Sequence, residues 1–295
     1  MERFFSRILR KNKMTALIEL GRPWNAILVV LLSILGASLT LGNLPNLSTI
    51  LILLSVITLI YIGSSAINDL FDMRVDSINM PFRPLERGSL RVKDVIYFSL
   101  FSYSLAIFVS YLISFHYFLS IILMAISSII YSLPPFSLKD RGILGNIDLG
   151  FTTTFTTLYS GSVLITKTFS IPEIVIISSI SLTAFFTFFS ILKDFKDMKG
   201  DKIHHKETVV IRFGLKNALA MNILGTSIFL PLTIYLFYQF VTQSLLFLIF
   251  SVLLFIFLLL EEIKLFKNPV EEAGEKIWGE SRLIFLIFVA ILLIF

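Results

Sequence analysis

The chain has no cysteine, three histidines, two tryptophans and few charges, with only 15% of its 295 residues being Asp, Glu, Lys or Arg. Without thiols there is no disulfide framework, no thiolate nucleophile and no Cys-based metal site. The three histidines, His116, His204 and His205, do not have the spacing of a zinc motif. A soluble domain carries roughly a quarter charged residues. That shortage, beside 56% hydrophobic positions, excludes a soluble enzyme and implies a polytopic membrane protein. The net charge of +5 does not point to nucleic acid, because the basic residues sit in short loops between apolar runs, where they orient a membrane protein. Nothing in the sequence specifies a protein partner.

About 20 apolar residues cross the hydrocarbon core. Such runs fall near 24–42, 47–67, 95–115, 117–133, 143–166, 171–192, 217–238 and 244–260, with a ninth from 281 to 295 whose purely apolar part is only 13 residues long. The expected fold is therefore an all-α integral membrane protein, a bundle of about nine transmembrane helices. Residues 1–23 are expected to form a cytoplasmic segment, its basic start lying on the membrane surface with Phe4, Phe5, Ile8 and Leu9 on one helical face. Residues 24–295 then make a single transmembrane domain. With these spans, 24 of the 25 Lys and Arg residues lie on one side, which the positive-inside rule makes cytoplasmic.

The stretch Asn68-Asp69-Leu70-Phe71-Asp72-Met73-Arg74-Val75-Asp76 follows directly on the second apolar run. On an α-helix, positions 69, 72 and 76 fall within about 60° of one another, with Asn68 on the flank, so the oxygens converge on one face. Such a face suits Mg²⁺, commonly held by one or two carboxylates together with substrate phosphate oxygens. Adding 125 to these positions gives Asp194, Asp197 and Asp201, again after a long apolar run, and Met73 and Arg74 are matched by Met198 and Lys199. Two equivalent acidic faces imply two pseudo-repeated halves whose clusters oppose each other across one site. Both clusters fall on the cytoplasmic side. A cation-coupled transporter, the reading from a different class, would more naturally place them near the midplane.

Three further polar features share that side. Arg83 and Arg87 sit among the turn-forming Pro81 and Pro84, and guanidinium groups suit bidentate phosphate contacts. Tyr131 to Lys139 ends the fourth span, with Pro134 and Pro135 stopping the helix. Arg22-Pro23 opens the first span and sets Asn25 inside the membrane boundary, either as a polar cavity wall or as an interhelical hydrogen-bonding residue.

Asn68-x-x-x-Asp72-x-x-x-Asp76 and Asp194-x-x-Asp197-x-x-x-Asp201, with Asn79-x-Pro81-x-Arg83-Pro84 after the first, resemble the UbiA superfamily of intramembrane prenyltransferases from Arg22 to about Gly214. The resemblance implies a helical bundle around a central cavity open sideways to lipid, with two Mg²⁺ bridging the acidic motifs and a prenyl diphosphate. Asn68, Asp72, Asp76, Asp194, Asp197 and Asp201 would hold metal and diphosphate, while Arg83 and Lys139 would neutralise phosphate charge. Arg22, Asn25, Asp69 and Tyr131 complete the expected substrate wall. Lys139 follows Tyr131 by eight residues, where many members have four. Within the superfamily, Arg22-Pro23-x-Asn25, Ala66-Ile67-Asn68-Asp69 and Ile191-Leu192-Lys193-Asp194 most resemble archaeal enzymes that add a second geranylgeranyl chain to a glycerol phosphate ether. The alternative acceptor is an aromatic ring of quinone or chlorin type. Acceptor choice is expected to depend on the cavity wall near Asn25 and Tyr131 and on the loop from Lys202 to Arg212, whose Lys202, His204, His205, Lys206 and Arg212 lie on the side where they would meet the phosphate of a lipid acceptor.

The charge asymmetry generates a direct test of orientation. A cysteine placed at Ser77 or at His204 in this cysteine-free chain is expected to react with an impermeant thiol reagent only from the cytoplasmic side. Labelling only from outside would reverse the assignment.

Overall fold

Inside hydrocarbon every backbone N–H and C=O must find its partner within the protein, so apolar runs free of helix breakers fold as helices. The computed structural model describes residues 12–268 and 271–294. The first eleven residues of the segment expected at 1–23 thus lie outside the described part. The described residues contain no strand. They form α1 (Lys13–Gly21), α2 (Pro23–Leu41), α3 (Leu47–Asn79), α4 (Val92–Ile113), α5 (Phe115–Ser132), α6 (Ile143–Gly150), α7 (Thr156–Thr166), α8 (Glu173–Phe189), α9 (Met198–Ile203), α10 (Val209–Phe240), α11 (Leu245–Lys267) and α12 (Glu271–Ile294).

Among the described residues, seven helices are long and apolar enough to cross a membrane, or eight if α1 and the bulk of α2, bent by 47°, count as one span. The protein is a multi-pass membrane protein. The segment expected at 143–166 differs in kind: a π-helical turn, Phe151–Phe155, divides it into α6 and α7. The last span is longer than expected. Ile277–Ile294 passes as a span of 18 residues, because the helix begins at Glu271 and carries its apolar stripe through charged positions that interrupt the run in sequence. Helix α10 starts at Val209, before the expected 217, and breaks at Gly214, whose φ of 79° lies in the left-handed region open to glycine.

Helix α3 has 33 residues, about 50 Å at 1.5 Å per residue. It runs without interruption through the first acidic motif. The second motif does not repeat that geometry: Ser190–Asp197 is a 3₁₀ segment, followed by the short α9. In a 3₁₀ helix residues i and i+3 eclipse, so Asp194 and Asp197 still share a face although the winding differs.

Two apolar clusters follow the two halves of the chain. One joins α2, α3, α4, α5 and α7 around Leu53, Val56, Tyr117 and Ile121. The other joins α8, the 3₁₀ segment and α10 to α12 around Phe185, Phe189, Phe195, Phe237 and Phe247. Helices α2 and α7 contribute to both, with Leu32, Leu35 and Leu158 on one side and Val30, Ala37 and Val163 on the other. They form the partition between the halves. Their crossing is held close by small residues, as expected where lipid supplies no hydrophobic drive between helices. A Cβ on Gly161 would lie 1.9 Å from the Ser33 carbonyl oxygen, and one on Gly36 would lie 2.0 Å from that of Leu158. Thr40 and Ser162 join the pair through their hydroxyls at 2.6 Å. Helix α1 and the loop after α3 close one end, with Arg87 donating to both carboxylate oxygens of Glu19 at 2.9 and 2.8 Å.

This crossing generates a stability prediction. Gly161→Ala is expected to lower the melting temperature in detergent, by a destabilisation of about 1–3 kcal/mol or more. Gly279→Ala is the control: its added Cβ meets nothing within 4 Å, so the melting temperature should hold or rise.

Candidate active site

The carboxylates that begin the site must be neutralised where they stand, because ionised groups at membrane depth are costly unless paired or metal-bound. Helix α3 turns Asp69 and Asp76 toward the loop that follows it, and Arg83 from that loop reaches both. Its Nη1 lies 3.2 Å from Asp69 Oδ1 and also donates to Asp76 Oδ2. Arg22 makes the second contact to Asp69. It reaches there because it sits at the joint between α1 and α2 with φ 46° and ψ 52°, a left-handed conformation that costs a non-glycine residue roughly 1–2 kcal/mol.

Asp72 points the other way. Lys139, from the loop after α5, lies 2.8 Å from its Oδ2, and Lys206, from the loop before α10, lies 2.7 Å from its Oδ1. Burial alone would lower the Lys206 ammonium, but Asp72 and Asp140 override it and hold Lys206 above its ordinary value. In the orientation that satisfies its amide, Asn68 donates to Asp72 at 3.3 Å and accepts from Ser132 at 3.2 Å and Lys139 at 3.3 Å.

On the facing segment, Lys193 donates to Asp194 at 2.9 Å and to the Tyr131 hydroxyl at 3.0 Å. Asp197 and Asp201 make no salt bridge among the described residues, although Asp201 is only 4% exposed. One side chain ties the two motifs together: Asn79 donates to the Asp197 carbonyl and accepts from the Gly200 N–H, both at 2.7 Å. A Cβ on Gly200 would meet that amide at 2.7 Å.

These groups surround one cavity of about 300 Å³. Of the residues singled out in the sequence, Arg22, Asn25, Asn68, Asp72, Asp76, Arg83, Tyr131, Lys139, Asp194, Asp197 and Asp201 all line it. Asp69 does not. It is 1% exposed and lies beneath Arg22 and Arg83, because two guanidinium groups cover the face it presents, so its expected contact with substrate becomes a contact with the residues that line the wall. The loop expected to meet an acceptor phosphate contributes Lys206 to the wall, whereas Lys202, His204, His205 and Arg212 are exposed and outside it. Away from the charges the lining joins apolar side chains, among them Leu28, Val29, Ile60, Met124, Leu149 and Phe186, with the hydroxyls of Ser64, Ser65, Ser128, Thr152 and Thr153.

Four charged lining residues escaped the sequence reading, among them Lys196 beside Asp197. Lys193 stands inside the second motif and reads there as a topology signal. Asp148 in α6 accepts from Ser127 at 3.0 Å and has a buried Oδ2 without a partner. Arg282 in α12 donates to Asn25 at 3.3 Å. Asp148 is an isolated charge within an apolar run, a signal that by itself marks an intramembrane site, whereas Arg282 stands at the start of the last run, two residues after Glu280.

The arrangement can hold a multiply charged oxyanion between two acidic motifs, with cations in reach and an apolar slot beside it. Several known proteins are similar to this chain. The digeranylgeranylglyceryl phosphate synthase of Thermococcus kodakarensis is 31% identical over 205 residues, 69% of this chain and 70% of that protein. A solved structure described as digeranylgeranylglyceryl phosphate synthase in membranes aligns with TM-score 0.69 at 22% identity, covering 96% of this chain and 98% of that one. A UbiA homolog from Archaeoglobus fulgidus bound to GPP and Mg²⁺ aligns with TM-score 0.68 at 18% identity, over 95% of this chain and 100% of that one. At such identities the structural likeness establishes the fold. The model of the UbiA prenyltransferase family matches residues 29–292, nearly the whole chain, and the chain therefore belongs to that family.

Proposed function

We propose that this protein transfers a geranylgeranyl group from its diphosphate to the free hydroxyl of geranylgeranylglyceryl phosphate, at the cytoplasmic face of the membrane, in a Mg²⁺-dependent reaction of archaeal ether-lipid synthesis. The observation that carries the reading is the single cavity in which Asp72 and Asp76 meet Asp194, Asp197 and Asp201 beside an apolar slot. The similarity to proteins named digeranylgeranylglyceryl phosphate synthase supports the choice of acceptor.

The donor set fits the metal. All candidate ligands are oxygen donors, and Asp197 and Asp201 face the cavity without a salt bridge among the described residues. Among those residues no three acidic or imidazole side chains are grouped closely enough to complete a metal site alone. Diphosphate oxygens and water would fill the remaining positions, the usual way Mg²⁺ is held in phosphate sites. Asp72, Asp76 and Asn68 on one side and Asp194, Asp197 and Asp201 on the other would hold one ion each. Bound there, Mg²⁺ would offset the charge that develops on the leaving diphosphate.

The protein's own groups supply the rest. Lys139, Lys206 and Arg83 neutralise the first motif, which places three cations beside the leaving group, where a water-poor site strengthens their effect. Tyr131 is held against Lys193 and keeps the ammonium directed toward Asp194. The apolar slot takes the prenyl chain and excludes water while the allylic C–O bond breaks to release diphosphate and the acceptor hydroxyl oxygen forms the ether C–O bond, its proton passing to the released diphosphate.

Two outcomes are expected. Asp72→Ala and Asp197→Ala should each lower turnover by roughly 10²-fold or more while the variants still insert, as read from diphosphate release with geranylgeranyl diphosphate and Mg²⁺. Near-normal Mg²⁺-dependent turnover in either would remove the two-motif site. Given geranylgeranyl diphosphate and, in parallel, geranylgeranylglyceryl phosphate or a hydroxybenzoate, the purified protein should prenylate the lipid acceptor. Transfer to the aromatic acid alone would overturn the acceptor and leave the prenyltransferase reading in place.

A further inference from the structure

We propose that Arg282, with Asn25, forms a separate subsite for the phosphate of the acceptor, distinct from the groups that bind the diphosphate. The inference rests on the lipid-acceptor reading above. Its starting point is a difference among the cations of the cavity. Arg22 and Arg83 are held by Asp69, with Arg83 also on Asp76; Lys139 and Lys206 are held by Asp72, and Lys193 by Asp194. Lys196 makes no salt bridge among the described residues, but it stands next to Asp197 inside the second acidic motif and belongs to the diphosphate end.

Arg282 makes no salt bridge among the described residues. Its Nη1 donates to Asn25 Oδ1 at 3.3 Å, and its guanidinium lies 5.7 Å from the Trp278 ring centre, one helical turn earlier on α12. A half-buried guanidinium facing a cavity, with no salt bridge among the described residues, is a place where an anion gains and a neutral ligand does not. The planar fork of N–H groups matches the oxygens of a phosphate. With its oxygen committed to Arg282, Asn25 keeps its NH₂ donors for the same anion.

The chemistry of the acceptor asks for such a site. A glycerol phosphate ether carries its attacking hydroxyl and its phosphate on neighbouring carbons, so it brings a second anion into a cavity that already holds the diphosphate. Cations shared between the two would favour whichever anion carries more charge. A cation contributed by another helix removes that competition and fixes which end of the acceptor faces the reacting carbon. The loop from Lys202 to Arg212 does not supply it, since Lys206 is bound to Asp72 and Asp140 and the other basic residues there are outside the cavity.

The test compares acceptors with and without phosphate. Arg282→Gln is expected to raise KM for geranylgeranylglyceryl phosphate by about ten- to a hundredfold, the size of a charge-assisted hydrogen bond, with KM for geranylgeranyl diphosphate within about twofold of the parent. Geranylgeranylglycerol, which lacks the phosphate, should be used equally by parent and variant, and Arg282→Lys should recover part of the lost affinity. Equal losses with both acceptors would make Arg282 a structural residue and overturn the subsite. So would a selective rise in KM for the diphosphate, or no change with the phosphate acceptor. If the parent protein does not use geranylgeranylglyceryl phosphate at all, the acceptor reading itself falls and takes the subsite with it; failure confined to the variants removes the subsite alone.

Discussion

Six aspartates gathered at one end of a helical bundle repel one another and lose hydration, and the protein answers with basic residues drawn from four separate places in the chain. Arg22 comes from the α1–α2 joint, Arg83 from the loop after α3, Lys139 from the loop after α5, and Lys206 from the loop before α10. Each of these segments has its conformation set by the carboxylate it must reach. The compensation stops short at Asp197 and Asp201, which have no salt bridge among the described residues. A site whose carboxylates are salt-bridged in the first motif and only partly so in the second leaves oxygen donors open to a divalent cation with an oxyanion, and is less suited to a neutral ligand.

The partition of α2 and α7 serves the same end mechanically. By joining two apolar clusters through a close backbone crossing, it fixes the distance between α3 and the 3₁₀ segment, which carry the opposing motifs. Asn79 then adjusts that distance locally. Its amide bonds the backbone of the second motif, so α3 positions both its own carboxylates and the peptide that bears Asp197.

What could be read from the sequence is what charge pattern and hydrophobic length encode. The acidic spacing at 69, 72 and 76 and at 194, 197 and 201 located the cavity, since polar residues in an otherwise apolar chain have few other reasons to be there. Local winding was not readable. Identical spacing gave an α-helix in one half and a 3₁₀ segment in the other, because 3.6 and 3.0 residues per turn both bring positions three apart onto one side. The sequence also could not say which carboxylate would be spent on structure. Asp69 has the same chemistry as Asp72, and only the approach of two arginines distinguishes it. Arg282 was obscured for another reason: the last apolar run was taken to begin near it, so its charge read as the edge of a span and not as part of a wall.

The backbone of Arg22 is the joint of the 47° bend between α1 and α2, while its side chain clasps Asp69. The residue that sets the angle between the two helices therefore also pairs with a carboxylate that has almost no contact with water. Helix geometry and the charge pairing beneath the cavity meet in one residue, with Arg83 as the second cation on the same carboxylate.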